Sequence, residues 1–71
     1  SAEQQRKKVL LNHLLNAYND GRKKTFFCVA VNLLELEDLE NIIKVLDENT
    51  LHLSLKEKAA YAAKLFQEAA A

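Results

Sequence analysis

There is no proline in this chain, no tryptophan and no methionine, and a single glycine serves all 71 residues. An all-β domain of this size turns its corners with Gly, Pro or Asn-Gly pairs. Only Asp20-Gly21 supplies such a pair, so a β-rich fold is excluded. The same scarcity excludes a glycine-rich phosphate loop. One cysteine, Cys28, cannot close an intramolecular disulfide, and with two histidines it lacks the paired spacing of a zinc site. No run approaches the ~18–20 apolar residues of a membrane span, and no signal peptide opens the chain. A membrane partner is therefore not expected, nor is any cofactor. A lone thiol inside an apolar run fits a reducing, cytoplasmic setting. The chain opens on Ser1 rather than Met, which points to a tag remnant or to a domain excised from a longer protein.

What is present is helical. Ala, Leu, Glu and Lys abound, all of them good helix formers. A chain of this length is read as one domain, 1–71, close to the lower limit for a self-sufficient core. The expected architecture is all-α: a compact bundle or orthogonal array of about four helices, near 2–19, 25–34, 36–47 and 55–69. In the first, Leu11, Leu14, Leu15 and Tyr18 recur at the helical spacing of three and four, with Val9 and Leu10 beside them. Gly21 follows where a helix C-terminus favours a left-handed residue. Thr25 is then the natural N-cap of the second helix.

The stretch Thr25–Leu34, TFFCVAVNLL, is rich in strand-favouring types. A strand would need a ladder partner, and the one candidate, Leu51–Leu55, would give only a marginal two-stranded sheet. Read as a helix, Phe27, Ala30, Val31 and Leu34 form one apolar stripe, and Phe26, Val29 and Leu33 an adjoining one. The helical reading is preferred. Farther on, Leu36, Leu39, Ile43 and Leu46 keep the period, with Glu37, Asp38 and Glu40 in the first turn where the dipole favours acids. The pattern leaves open whether 25–47 is one kinked helix or two. Ser54 with Glu57 three residues on reads as a capping box, opening a last helix with Leu55, Ala59, Ala62 and Phe66 on one face. The core is expected from Leu11, Leu14, Leu15, Tyr18, Phe27, Ala30, Val31, Leu34, Leu39, Ile43, Leu46, Leu55, Ala62 and Phe66.

Charge sums to zero but is segregated: residues 1–24 carry +4, residues 25–48 carry −5, and the remainder +1. Such asymmetry implies internal pairing of helices, association between copies, or an external charged partner. Two basic clusters, Arg6-Lys7-Lys8 and Arg22-Lys23-Lys24, are candidate phosphate contacts, although no recognition-helix signature accompanies them. The acids Glu35, Glu37, Asp38 and Glu40 lack the central glycine and alternating oxygen ligands of a calcium hand. Cys28 reads as packing rather than chemistry, since free cysteine is among the residue types most often buried. His13 and His52 have no acid at catalytic spacing nearby in sequence. The expectation is therefore a non-catalytic protein–protein interaction or oligomerisation module, a homodimer included, using Phe26, Leu33, Leu36 and Ile42 as its apolar contact surface. A nucleic-acid-associated regulator is the alternative.

Overall fold

In the computed structural model, which describes residues 1–71, the chain forms four helices and no strand. They are α1 (Ala2–Ala17), α2 (Lys24–Leu33), α3 (Leu36–Asn49) and α4 (Leu55–Ala70). Each boundary has a local cause. Ser1 caps α1: its hydroxyl accepts the Gln4 amide, and Gln4 reaches back in a capping box. The helix stops at Ala17, two residues before the expected end. Beyond it, Asn19 is drawn into a turn in which its side-chain oxygen accepts the amides of Gly21 and Lys23, both at 3.0 Å. Asp20 accepts the Arg22 amide in the same way. Gly21 does adopt a positive φ of 97°, but four residues past the helix end. It serves this Asx-rich turn rather than the helix terminus.

That turn also corrects the expected cap of α2. Lys23, not Thr25, is the N-cap residue, and no side chain caps the helix. Helical geometry begins at Lys24, before Thr25 is reached, and Thr25 lies exposed in the first turn. TFFCVAVNLL is thus helix to Leu33. Leu34 and Glu35 are both extended, with ψ of 149° and 148°, so α2 and α3 are two separate helices rather than one kinked one. At α4 the capping box is present: the Glu57 amide donates to Ser54 Oγ at 3.2 Å, and the Ser54 amide donates to Glu57 Oε1 at 3.0 Å.

α1 packs between its two neighbours. Its buried stripe is Leu10, Leu14 and Tyr18: Leu14 and Tyr18 are inside as expected, and Leu10 takes the place expected of Leu11 and Leu15. The cause is the pair of seams on either side. Arg6 and His13 face α3, where they meet Glu40 and Asp47. Lys7 faces the end of α2, where its ammonium donates to the Leu34 carbonyl at 2.7 Å. Leu10 and Leu14 fall between the seams, leaving Leu11 and Leu15 half-buried on the shoulder. The Lys7 contact also supplies a cation to the C-terminal end of α2, which has no basic residue in its own last turn.

Phe27 and Val31 from α2 and Leu39, Ile43 and Leu46 from α3 complete the centre of the core. α4 adds Ala59, Ala62 and Phe66. Its alanines permit close approach, and Phe66 reaches furthest, edge-to-face with Phe27 at 6.0 Å and Phe26 at 6.4 Å. Leu55 does not join them; it stands at the exposed start of α4. Ala30 and Leu34, also expected inside, are half-buried. The Cα radius of gyration is 11.2 Å, close to the roughly 11 Å expected of a compact chain this long.

Candidate interaction surface

On α2 the two apolar stripes part company. Phe27 and Val31 point inward, while Val29 and Leu33, one turn apart, point outward at 51% and 73% exposure. Thr25 and Asn32 share the outer face, with Cys28 half-buried beside them. Of the four residues expected at a contact surface, Leu33 is the one that is open. Phe26, Leu36 and Ile42 are half-buried and pack against the core. Phe26 owes its position to the aromatic cluster, lying 5.6 Å from Phe27. Val29 was grouped with Phe26 and Leu33 by spacing, and its exposure adds it to the outer face. Elsewhere Val9, Val45, Leu51 and Leu55 are also open. Leu10 is buried because it lies between the two seams of α1.

The charged residues divide into those engaged within the fold and those left over. In the first basic cluster Lys7 holds the Leu34 carbonyl, and Arg6 sits 3.6 Å from Glu40. In the second, Arg22 is 3.1 Å from Asp20, and this contact helps hold the Asp20 carboxyl below the usual aspartate range against the opposing effect of desolvation. Lys8 and Lys24 are exposed with no carboxylate partner, and Lys23 is half-buried without one. Glu35, Glu37 and Asp38 are likewise exposed and unpaired. The first cluster lies within α1, the second in the turn and at the start of α2.

A polar cluster that sequence spacing did not reveal ties α1 to the end of α3. His13 Nε2 donates to the Asp47 carboxylate, at 2.9 and 3.0 Å from its two oxygens. The Tyr18 hydroxyl donates to Asp47 Oδ1 at 2.7 Å and lies 3.1 Å from Thr50 Oγ1. Thr50, buried, donates in turn to the Leu46 carbonyl at 2.7 Å. Burial pushes the Tyr18 phenol up to about 12; Asp47 adds to the rise and Thr50 opposes it. His13 and Asp47 are 34 positions apart, so only the packing of α1 on α3 brings them together. The cluster satisfies buried groups, and no buried side-chain polar atom in the protein is left without a partner.

Concave surface is limited. A shallow, open depression of about 290 Å³ lies between α1 and α2 beside Lys7, Lys8, Leu11 and Val31. Another of about 430 Å³ lies between α1 and α3 beside Arg6, Leu10, Glu40 and Ile43. No three His, Cys, Asp or Glu side chains converge as metal ligands, and no helix is long and apolar enough to cross a membrane. No known protein family, curated protein or solved structure gives a significant match to this chain.

Proposed function

We propose that this chain is a non-catalytic, cytoplasmic interaction or oligomerisation module whose contact surface is centred on the outer face of α2. The observation that carries the reading is the pairing of Val29 and Leu33, both more than half exposed, on one face of a helix whose other face is fully committed to the core. A leucine in that setting gains nothing for the isolated fold; covering it with apolar partner surface would return about 25 cal/mol per Å². Phe26, Leu36 and Ile42 form the half-buried shoulder from which such a contact would extend. Nucleic acid is the weaker alternative, because Arg6, Lys7 and Arg22 already have partners inside the protein.

The test is Leu33→Asp, read by urea unfolding of dilute protein. A surface kept apolar for a partner predicts a loss of no more than about 1 kcal/mol, the cost of an acid in the last turn of α2. A loss of about 2 kcal/mol or more would place Leu33 in the service of the fold and remove the reading. Retention on heparin that collapses steeply with salt would favour the nucleic-acid alternative instead.

A further inference from the structure

Asp20-Gly21 is the one place in the chain where an acid or its amide precedes glycine, and that pair carries chemistry of its own. When the aspartyl carboxyl is protonated, the glycine nitrogen can attack it. A bond forms from Gly21 N to Asp20 Cγ and the Cγ–OH bond breaks. The hydroxyl leaves as water with the amide proton, closing a five-membered succinimide. Water then adds back at either carbonyl. Opening at the main-chain carbonyl leaves isoaspartate, its backbone rerouted through Cβ. No oxidant, cofactor or second protein is needed.

Packing does not shield this site. Gly21 is exposed, and no atom beyond its chain neighbours lies within 4 Å of where a Cβ would sit. Hydrogen bonding does shield it. The amide proton that the reaction removes is donated to Asn19 Oδ1 at 3.0 Å. The Lys23 amide donates to the same oxygen, also at 3.0 Å, and holds the Asn19 side chain in place. One carboxylate oxygen must leave, and Arg22 holds both: its amide donates to Oδ1 and its Nη2 to Oδ2, each at 3.1 Å. Desolvation would raise the Asp20 carboxyl, but hydrogen bonds and charge from Arg22, with Lys23 adding, outweigh it and keep the group below the usual aspartate range. The protonated form that cyclises is correspondingly scarce.

We propose that Asn19 and Arg22 guard the Asp20–Gly21 bond against cyclisation, so that the turn between α1 and α2 is a covalent modification site that folding holds shut. Both act as positioning residues. Cyclisation in the folded chain forfeits one bond to Asn19 and one to Arg22, whereas a locally opened turn has neither to lose. The product matters to the fold, because isoaspartate adds a main-chain atom to the link that sets α1 against α2. Isoaspartate at position 20 therefore records how often the turn has opened.

The full chain, kept warm at neutral pH and then digested, reads the modification as a peptide of unchanged mass and altered retention. Folded wild type is expected to form isoaspartate about 25-fold more slowly than the same chain in urea, the rate equivalent of two ordinary hydrogen bonds. Arg22→Ala and Asn19→Ala each accelerate the folded chain about fivefold, one bond apiece. In urea all three age at one rate. Wild type that ages as fast folded as in urea overturns the proposal, as do variants that age at the wild-type rate while folded. A difference that persists in urea overturns it too, since local sequence rather than the fold would be its source. Amide exchange in the wild type, followed by NMR, requires no variant to fold. A protected Gly21 amide is expected, and exchange at the rate of an unstructured chain removes the guard.

Discussion

Raising the pH tests the buried phenol of Tyr18 without altering a residue. Its acidity is displaced from an ordinary value of 10.0 to about 12, first by burial and then by Asp47. A neutral phenol is thus favoured in the folded state, and the group binds its proton more tightly there than in the unfolded chain. The associated stability is fully present below pH 10 and is lost as pH climbs from 10 to about 12. At 1.36 kcal/mol per pK unit the whole contribution is at most about 2.7 kcal/mol. Asp47 is partly solvated, which lowers the expected loss to about 1–2 kcal/mol. Urea midpoints measured from neutral to strongly alkaline pH on wild type and Tyr18→Phe isolate it, since lysine titration is common to both. At neutral pH the variant is less stable by about 1–2 kcal/mol, having lost a hydrogen bond to a carboxylate. Above pH 10 the wild type falls faster, and the two curves converge near pH 12. Parallel curves would refute the argument, for they would mean that the phenol ionises equally readily in the folded and unfolded chain.

Other perturbations probe separate parts of the fold. Phe66→Ala removes the residue that joins α4 to Phe26 and Phe27 and is expected to cost about 3–5 kcal/mol, enough to leave α4 detached; urea unfolding followed by circular dichroism would register both the loss and a drop in helicity. Ser54→Ala breaks the α4 capping box for about 1 kcal/mol, read as a lower urea midpoint with unchanged slope. Lys24→Glu places an acid at the uncapped N-terminus of α2 and should stabilise dilute protein by about 0.3–1 kcal/mol, an increase that shrinks as salt is added.

Helix number and type were legible because each segment spaces its apolar residues at three and four and no proline interrupts them. The α4 capping box was legible because both partners lie within one turn of sequence. The turn from Tyr18 to Lys23 was misread for a physical reason. Asn19 takes the Gly21 and Lys23 amides, and that competition between side chain and backbone ends α1 early, while α2 starts at Lys24, ahead of Thr25, with no side-chain cap. The rotation of the α1 stripe from Leu11 to Leu10 was equally hidden. It depends on α1 having neighbours on two sides, and periodicity reports one face at a time. The His13–Asp47 contact needed the same tertiary fact. Phe26, Leu36 and Ile42, expected at a contact surface, are half-buried against the core instead; Phe26 leans on Phe66, which arrives from a helix 40 residues further along the chain.

Segregated charge, the most suggestive feature of the sequence, resolves into two populations with different consequences. Arg6 with Glu40, Lys7 with the α2 terminus, and His13 with Asp47 draw α1 onto its neighbours, and these contacts use much of the basic excess of α1 inside the fold. Exposed pairs of this kind contribute about 0–1 kcal/mol each, so their main effect is to choose which face of α1 turns inward. Lys24 and the acids Glu35, Glu37 and Asp38 remain outside that arrangement. The acids are favoured by the dipole of α3, whose start they occupy. Lys24 is favoured by nothing in the isolated chain: its helix begins without a cap, and its charge has the wrong sign for that end. Removing that charge is therefore expected to help the isolated fold, which is what the Lys24→Glu measurement reads.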